Sequence, residues 1–164
     1  MLGLSSLGLI HTAISLVAVG AGLVSLIRLH RITGTTGVGK LYIATTLLTC
    51  LTSLGIFHHG GFGAPHVLAI ITLVVLAVAA GARKLWFGRL SPYVETISYS
   101  ATFLFHLIPA VTETSTRLPA GAPWATGPDD PKVKAASGIL FVLFLIGAFL
   151  QAMRIKAQAK VMAA

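Results

Sequence analysis

Charge is scarce in this chain. Of its 164 residues only 10% are Asp, Glu, Lys or Arg, and only four are acidic: Glu95, Glu113, Asp129 and Asp130. A soluble domain carries roughly a quarter charged residues, so a water-solvated surface on every side is excluded. Cysteine is nearly absent too. Cys50 stands alone, which excludes an intramolecular disulfide, and its position inside an apolar run says little about redox compartment. No CxxC or HExxH occurs, which removes the usual closed zinc sites. The short alternating segments of a membrane β-barrel are also missing. The opening MLGLSSLGLIH has no basic leader, and the first positive charge, Arg28, follows the apolar run. The first segment therefore reads as a retained helix with its N-terminus outside.

What is present is apolar. Hydrophobic residues make up 55% of the chain and mean hydropathy is +0.90. The runs approach the ~20 residues that a spanning helix needs. They predict an all-α integral membrane bundle, a single domain of five transmembrane helices, with spans at about 4–27, 41–57, 65–82, 93–111 and 136–152. Glycine-rich breakers at 33–39 and 60–65 separate the first three, and Pro65 suits the first turn of the third. The stretch 118–131, with four prolines and two glycines, is the longest loop.

The net charge of +8 does not argue for nucleic acid, because the basic residues sit between the apolar runs. Arg28, Arg31, Lys40, Arg83, Lys84, Arg89, Arg154, Lys156 and Lys160 share one side of a five-span topology, against Arg117, Lys132 and Lys134 on the other. The excess of Lys and Arg in cytoplasmic segments orients such a chain N-terminus outside, C-terminus inside.

The spans differ in character. GILFVLFLIGAFL in the fifth has no polar side chain and reads as a lipid-facing scaffold. The first carries a small or polar face of Gly8, His11, Ser15, Ala18, Gly22 and Ser25, which favours close helix approach. The second is rich in threonine. The fourth places Glu95, Tyr99, Thr102, His106 and Glu113 on one face at helical spacing. Ionisable groups inside a span are costly and usually face an interior where they have a task. A polar-lined interior among helices one, two and four follows. The stripe reads equally as a proton path or as a buried face bonded to its neighbours. Pro109 removes a hydrogen bond beside His106 and predicts a kink there.

With that topology, His11 and His106 lie at matching depth, roughly 10–12 Å below the outer surface at 1.5 Å per residue. Cys50 lies at nearly the same depth. Imidazoles at matching depth on facing helices, in an apolar pocket, suit the axial ligands of a b-type haem. His66 is the substitute ligand. His58 and His59, with His66, form HHGGFGAPH in an outer loop, where imidazoles suit a transition metal ion. The competing reading is that these histidines are hydrogen-bonded or solvated. Glu113 and Arg117, four apart, form a helical ion pair, with a haem propionate or lipid headgroup as the other partner for Arg117. Glu95, Tyr99, Thr102 and Cys50 are supporting or relay residues.

The segments IHTAISLVAVGAGLVSLIR, HRITGTTGVGKLYIATTLL and GAPHVLAIITL resemble a family of small bacterial multi-pass membrane proteins without an assigned function. The matching features are His11, the basic turn from His30 to Tyr42, and His66. The resemblance implies a helical bundle in a bacterial inner membrane. The paired histidines are also similar in style to b-type membrane cytochromes, an architectural likeness. The functional expectation is a membrane haem- or metal-binding protein with an outer-half histidine site, transferring electrons. Its partners would be lipid, a quinone or a larger complex, and an oligomer is compatible. The alternatives are an accessory subunit without chemistry, or proton-coupled transport along the stripe.

Overall fold

The computed structural model describes residues 5–57 and 61–162. The chain is all-α, and five of its helices are long and apolar enough to cross a membrane. They are α1 (Ser6–Leu29), α2 (Gly37–Leu54), α3 (Ala64–Arg83), α4 (Ser91–Arg117) and α5 (Pro131–Met162), with a 3-10 turn at Gly88–Leu90.

The helix ends have local causes. Ser5 caps α1 by accepting from the Gly8 N–H at 3.1 Å. His30 closes α1 in the left-handed region, φ 57°, with its N–H on Leu26 O. Thr36 caps α2 through Gly39 N at 3.2 Å, so this helix begins four residues before the expected start. It stops at Leu54, ahead of Gly55, rather than reaching Phe57. Pro65 lies in the first turn of α3, where its missing N–H costs nothing. The 3-10 turn and the Ser91 hydroxyl, which accepts from Phe87 N at 3.2 Å, lead into α4.

The last two helices outrun their apolar cores. α4 continues through Pro109, which is solvent-facing, to Arg117, and the Glu113–Arg117 pair at 2.6 Å closes its final turn. α5 runs on beyond 152 because Arg154, Lys156, Ala157, Gln158, Ala159 and Lys160 are all good helix formers.

The chain divides into two compact units, Met1–Thr102 and Phe103–Ala164, with α4 passing from one to the other. In the first unit α2 packs against α1 and α3. The buried stripe of α1 is Ala18, Ala21, Gly22 and Ser25. These small side chains let the helices approach closely. α2 answers with Gly39, Tyr42, Thr45, Thr46, Thr49 and Cys50, and α3 buries His66, Ala69, Thr72, Leu76 and Ala79. Gly39 is required: a Cβ there would overlap the Thr33 carbonyl oxygen.

The second unit holds the rest of α4 and α5. Ala125 N bonds Ser115 O at 2.9 Å, and Trp124 N bonds Leu118 O at 3.0 Å, folding the loop back on the end of α4. Asp130 caps α5: Oδ1 accepts from Lys132 N at 2.9 Å, and Oδ2 accepts from Thr126 N at 2.9 Å. These backbone N–H bonds hold the exposed carboxyl below the usual aspartate range. Much of the centre of α5 is exposed, with Ile139 at 62% and Phe149 at 65%, while Leu140, Phe144, Gly147 and Ala148 are partly covered. A helix apolar all round suits lipid.

Candidate functional site

The polar side chains inside the first unit form a few short chains. Their donors can be assigned, because each threonine has one hydroxyl proton. Thr102 donates its proton to Tyr99 O at 2.8 Å. The Tyr42–Thr102 bond of 2.8 Å therefore runs from the phenol to Thr102 Oγ1. Tyr42 is fully buried, and Thr46 also bonds its hydroxyl. Thr52 donates to Leu48 O and Thr49 O at 2.9 and 3.0 Å. It accepts in turn from His11 Nδ1 at 3.0 Å. Thr72 donates to Leu68 O at 2.7 Å.

Two such bonds tie α2 to its neighbours. His11 reaches from α1 to Thr52, and Tyr42 reaches Thr102 of α4. In both cases a threonine is the acceptor, and its own proton ends on a backbone carbonyl. Threonine bonding back to its helix removes the cost of burying the hydroxyl. It also leaves a lone pair facing the partner helix.

These pairings place the expected residues. The His11–Thr52 bond sets the start of α1 beside the end of α2, and Cys50 lies one half-turn away from Thr52 on the same helix. Glu95, Tyr99 and Thr102 do share a face of α4. Glu95 accepts from Thr33 Oγ1 at 3.3 Å, Tyr99 is 2% exposed and Thr102 is buried. Arg83 reaches the same end, with its guanidinium packed against Gly34. Tyr42, the central residue of this interior, enters the sequence reading only as the end of the basic turn from His30 and not as a site residue. Its place in a helix with a threonine face was the available signal.

His66 is 4% exposed in the first turn of α3. Its Nδ1 accepts the Gly63 N–H at 3.2 Å. A neutral imidazole accepting at Nδ1 carries its proton on Nε2. In this arrangement His66 offers a donor and not a ligand lone pair, and ligation through Nε2 would require the Gly63 bond to break. Phe57 and Phe62 stack on the ring, with centroids 4.8 and 5.2 Å away. His58 and His59 lie outside the described residues.

His106, Glu113 and Arg117 belong to the second unit. His106 is 6% exposed, and the Glu113–Arg117 pair is largely solvent-exposed. An exposed pair of this kind is worth little. Next to it an open cleft of about 560 Å³ is lined by Thr114, Ser115, Leu118, Pro119 and Trp124. Lys132 crosses the Trp124 ring at 5.5 Å and donates to Trp124 O at 2.9 Å.

Among the described residues no group of three or more His, Cys, Asp or Glu is gathered as a metal site would need. Known protein families, curated proteins and solved structures yield no match to this chain.

Proposed function

We propose that this chain is a membrane haem- or metal-binding protein that works in electron transfer, with His11 supplying a ligand nitrogen. The supporting observation is the bond from His11 Nδ1–H to Thr52 Oγ1 at 3.0 Å. A ligating histidine usually donates its other ring N–H to a fixed acceptor, which sets the tautomer and the ring orientation. Thr52 is such an acceptor, because its own proton is committed to α2. With Nδ1 as the donor, Nε2 is the ring nitrogen of His11 that would bind iron or another transition metal.

A transition metal ion held by protein alone takes several side chains. Haem asks the protein only for axial ligands. When bound, it would supply a one-electron carrier. His106, buried in the second unit, is the other histidine with suitable chemistry. The distribution of Lys and Arg supports an orientation with the N-terminus outside and the C-terminus inside, which sets His11 in the outer half. The resemblance noted above suggests a bacterial inner membrane.

Proton-coupled transport along the helix-four stripe draws less support. The Tyr42–Thr102 chain terminates on the Tyr99 carbonyl, which cannot pass a proton on. The same terminating bonds favour a second reading, an accessory subunit whose polar interior is purely structural. Haem and metal analysis of the purified protein separates the two. The redox reading expects a bound group that is lost in His11→Ala. The accessory reading expects no bound group in either protein and capture of a larger partner in mild detergent.

A further inference from the structure

Two buried side-chain atoms of the first unit, Ser25 Oγ and His66 Nε2, have no hydrogen-bond partner among the described residues. His66 as a whole is 4% exposed. The Gly63 N–H bond to Nδ1 fixes the proton on Nε2. Leaving a buried donor without an acceptor is costly, and binding a suitable acceptor would remove that cost.

The surroundings narrow the chemistry of that acceptor. Phe57 and Phe62 flank the imidazole at 4.8 and 5.2 Å and are themselves 60% and 65% exposed. They cover His66 without being held by a packed core. An anion would need several donors, as at an open helix N-terminus. Here Pro65 has no N–H, and the N–H groups of His66 and Val67 both end on Gly63 O, at 3.0 and 3.2 Å. Among the described residues, the side chains here offer one neutral N–H beside two apolar rings. It fits one neutral carbonyl oxygen on an apolar molecule.

We propose that His66 Nε2–H is a binding donor for the carbonyl oxygen of a membrane-soluble ligand, which enters as the Phe57 or Phe62 ring swings aside. Two sources carry that chemistry at a membrane surface: a quinone ring, or the ester carbonyl of a lipid. The inference stands apart from the reading of His11, because it needs neither haem nor metal.

The test uses the full chain, labelled with ¹⁵N-histidine, in nanodiscs. Nitrogen spectra identify which ring nitrogen of His66 bears the proton and whether that N–H is bonded. A downfield displacement of Nε2–H on adding a short-tailed benzoquinone identifies the quinone. A displacement between ether-linked and ester-linked lipid discs, before any quinone, identifies the lipid. Ligand affinity, read from the carbonyl ¹³C signal of the added quinone or lipid, should weaken roughly tenfold in His66→Leu, the scale of one hydrogen bond to a buried donor, and recover in part in His66→Gln, which keeps an N–H. A proton found on Nδ1, or an Nε2–H that responds to neither quinone nor ester lipid, would overturn the proposal. The wild-type spectra decide even if the variants fail to fold.

Discussion

Replacing Tyr42 by Phe tests the claim that threonine acceptors tie α2 to its neighbours. The change removes one hydroxyl and leaves the ring in place. Tyr42 is fully buried, and its phenol proton goes to Thr102 at 2.8 Å. Thr102 keeps its own bond to Tyr99 O at 2.8 Å, so no donor is stranded. The loss is then close to the net worth of one interhelical bond, about 0.6 kcal/mol on average within membranes and at most about 1.7. For a chain of this length each kcal/mol moves the melting temperature by roughly 2–4 °C. Because Thr46 also bonds the phenol, the single variant alone is ambiguous. A double-mutant cycle with Thr102→Val, read by thermal unfolding in mild detergent, isolates the Tyr42–Thr102 term. A coupling of about 0.5–1.5 kcal/mol is expected. Zero coupling, with both single variants as stable as wild type, would refute a stabilising Tyr42–Thr102 bond.

Two further predictions concern the backbone and the loop. Gly39→Ala should lower stability by roughly 1–3 kcal/mol, the usual cost of overpacking, because its Cβ would overlap the Thr33 carbonyl oxygen. Gly81→Ala should cost less, since there the obstacle is the 72% exposed Trp86 ring, which can move; differential scanning of the two variants checks the order. At the start of α5, the Asp130 carboxyl is held below its ordinary value by the N–H groups of Thr126 and Lys132. Its contribution is present above the unfolded-state pKa and is lost as pH falls through the lower folded value. Hydrogen exchange at the Lys132 amide should accelerate relative to other helix starts below about pH 4, where unfolded aspartate titrates; unchanged protection in acid would contradict the cap.

The five spans were legible because apolar runs of the right length report themselves. Their ends were less so. The early start of α2 depends on the Thr36 cap, and the long α5 depends on helix formers that carry charge. Periodicity also identified which faces were polar, as with Glu95, Tyr99 and Thr102. It cannot say which residue on another helix each one meets. That is why Thr52 as the partner of His11, Tyr42 as the hub of α2 and the Gly63 bond that fixes the His66 proton appear only in three dimensions. His66 looked like a spare ligand in the sequence because spacing carries no information about tautomers.

The central claim is that His11, oriented by Thr52, holds a redox group. The most direct measurement is the reduced-minus-oxidised absorption spectrum of the purified wild-type protein beside Thr52→Val and His11→Ala. A haem or metal-centred difference band is expected in the wild type. It should be absent in His11→Ala, and the group should bind about 10–100-fold more weakly in Thr52→Val, the usual effect of losing a ligand's hydrogen-bond partner. A folded wild-type protein with a flat difference spectrum and no bound metal would contradict the account.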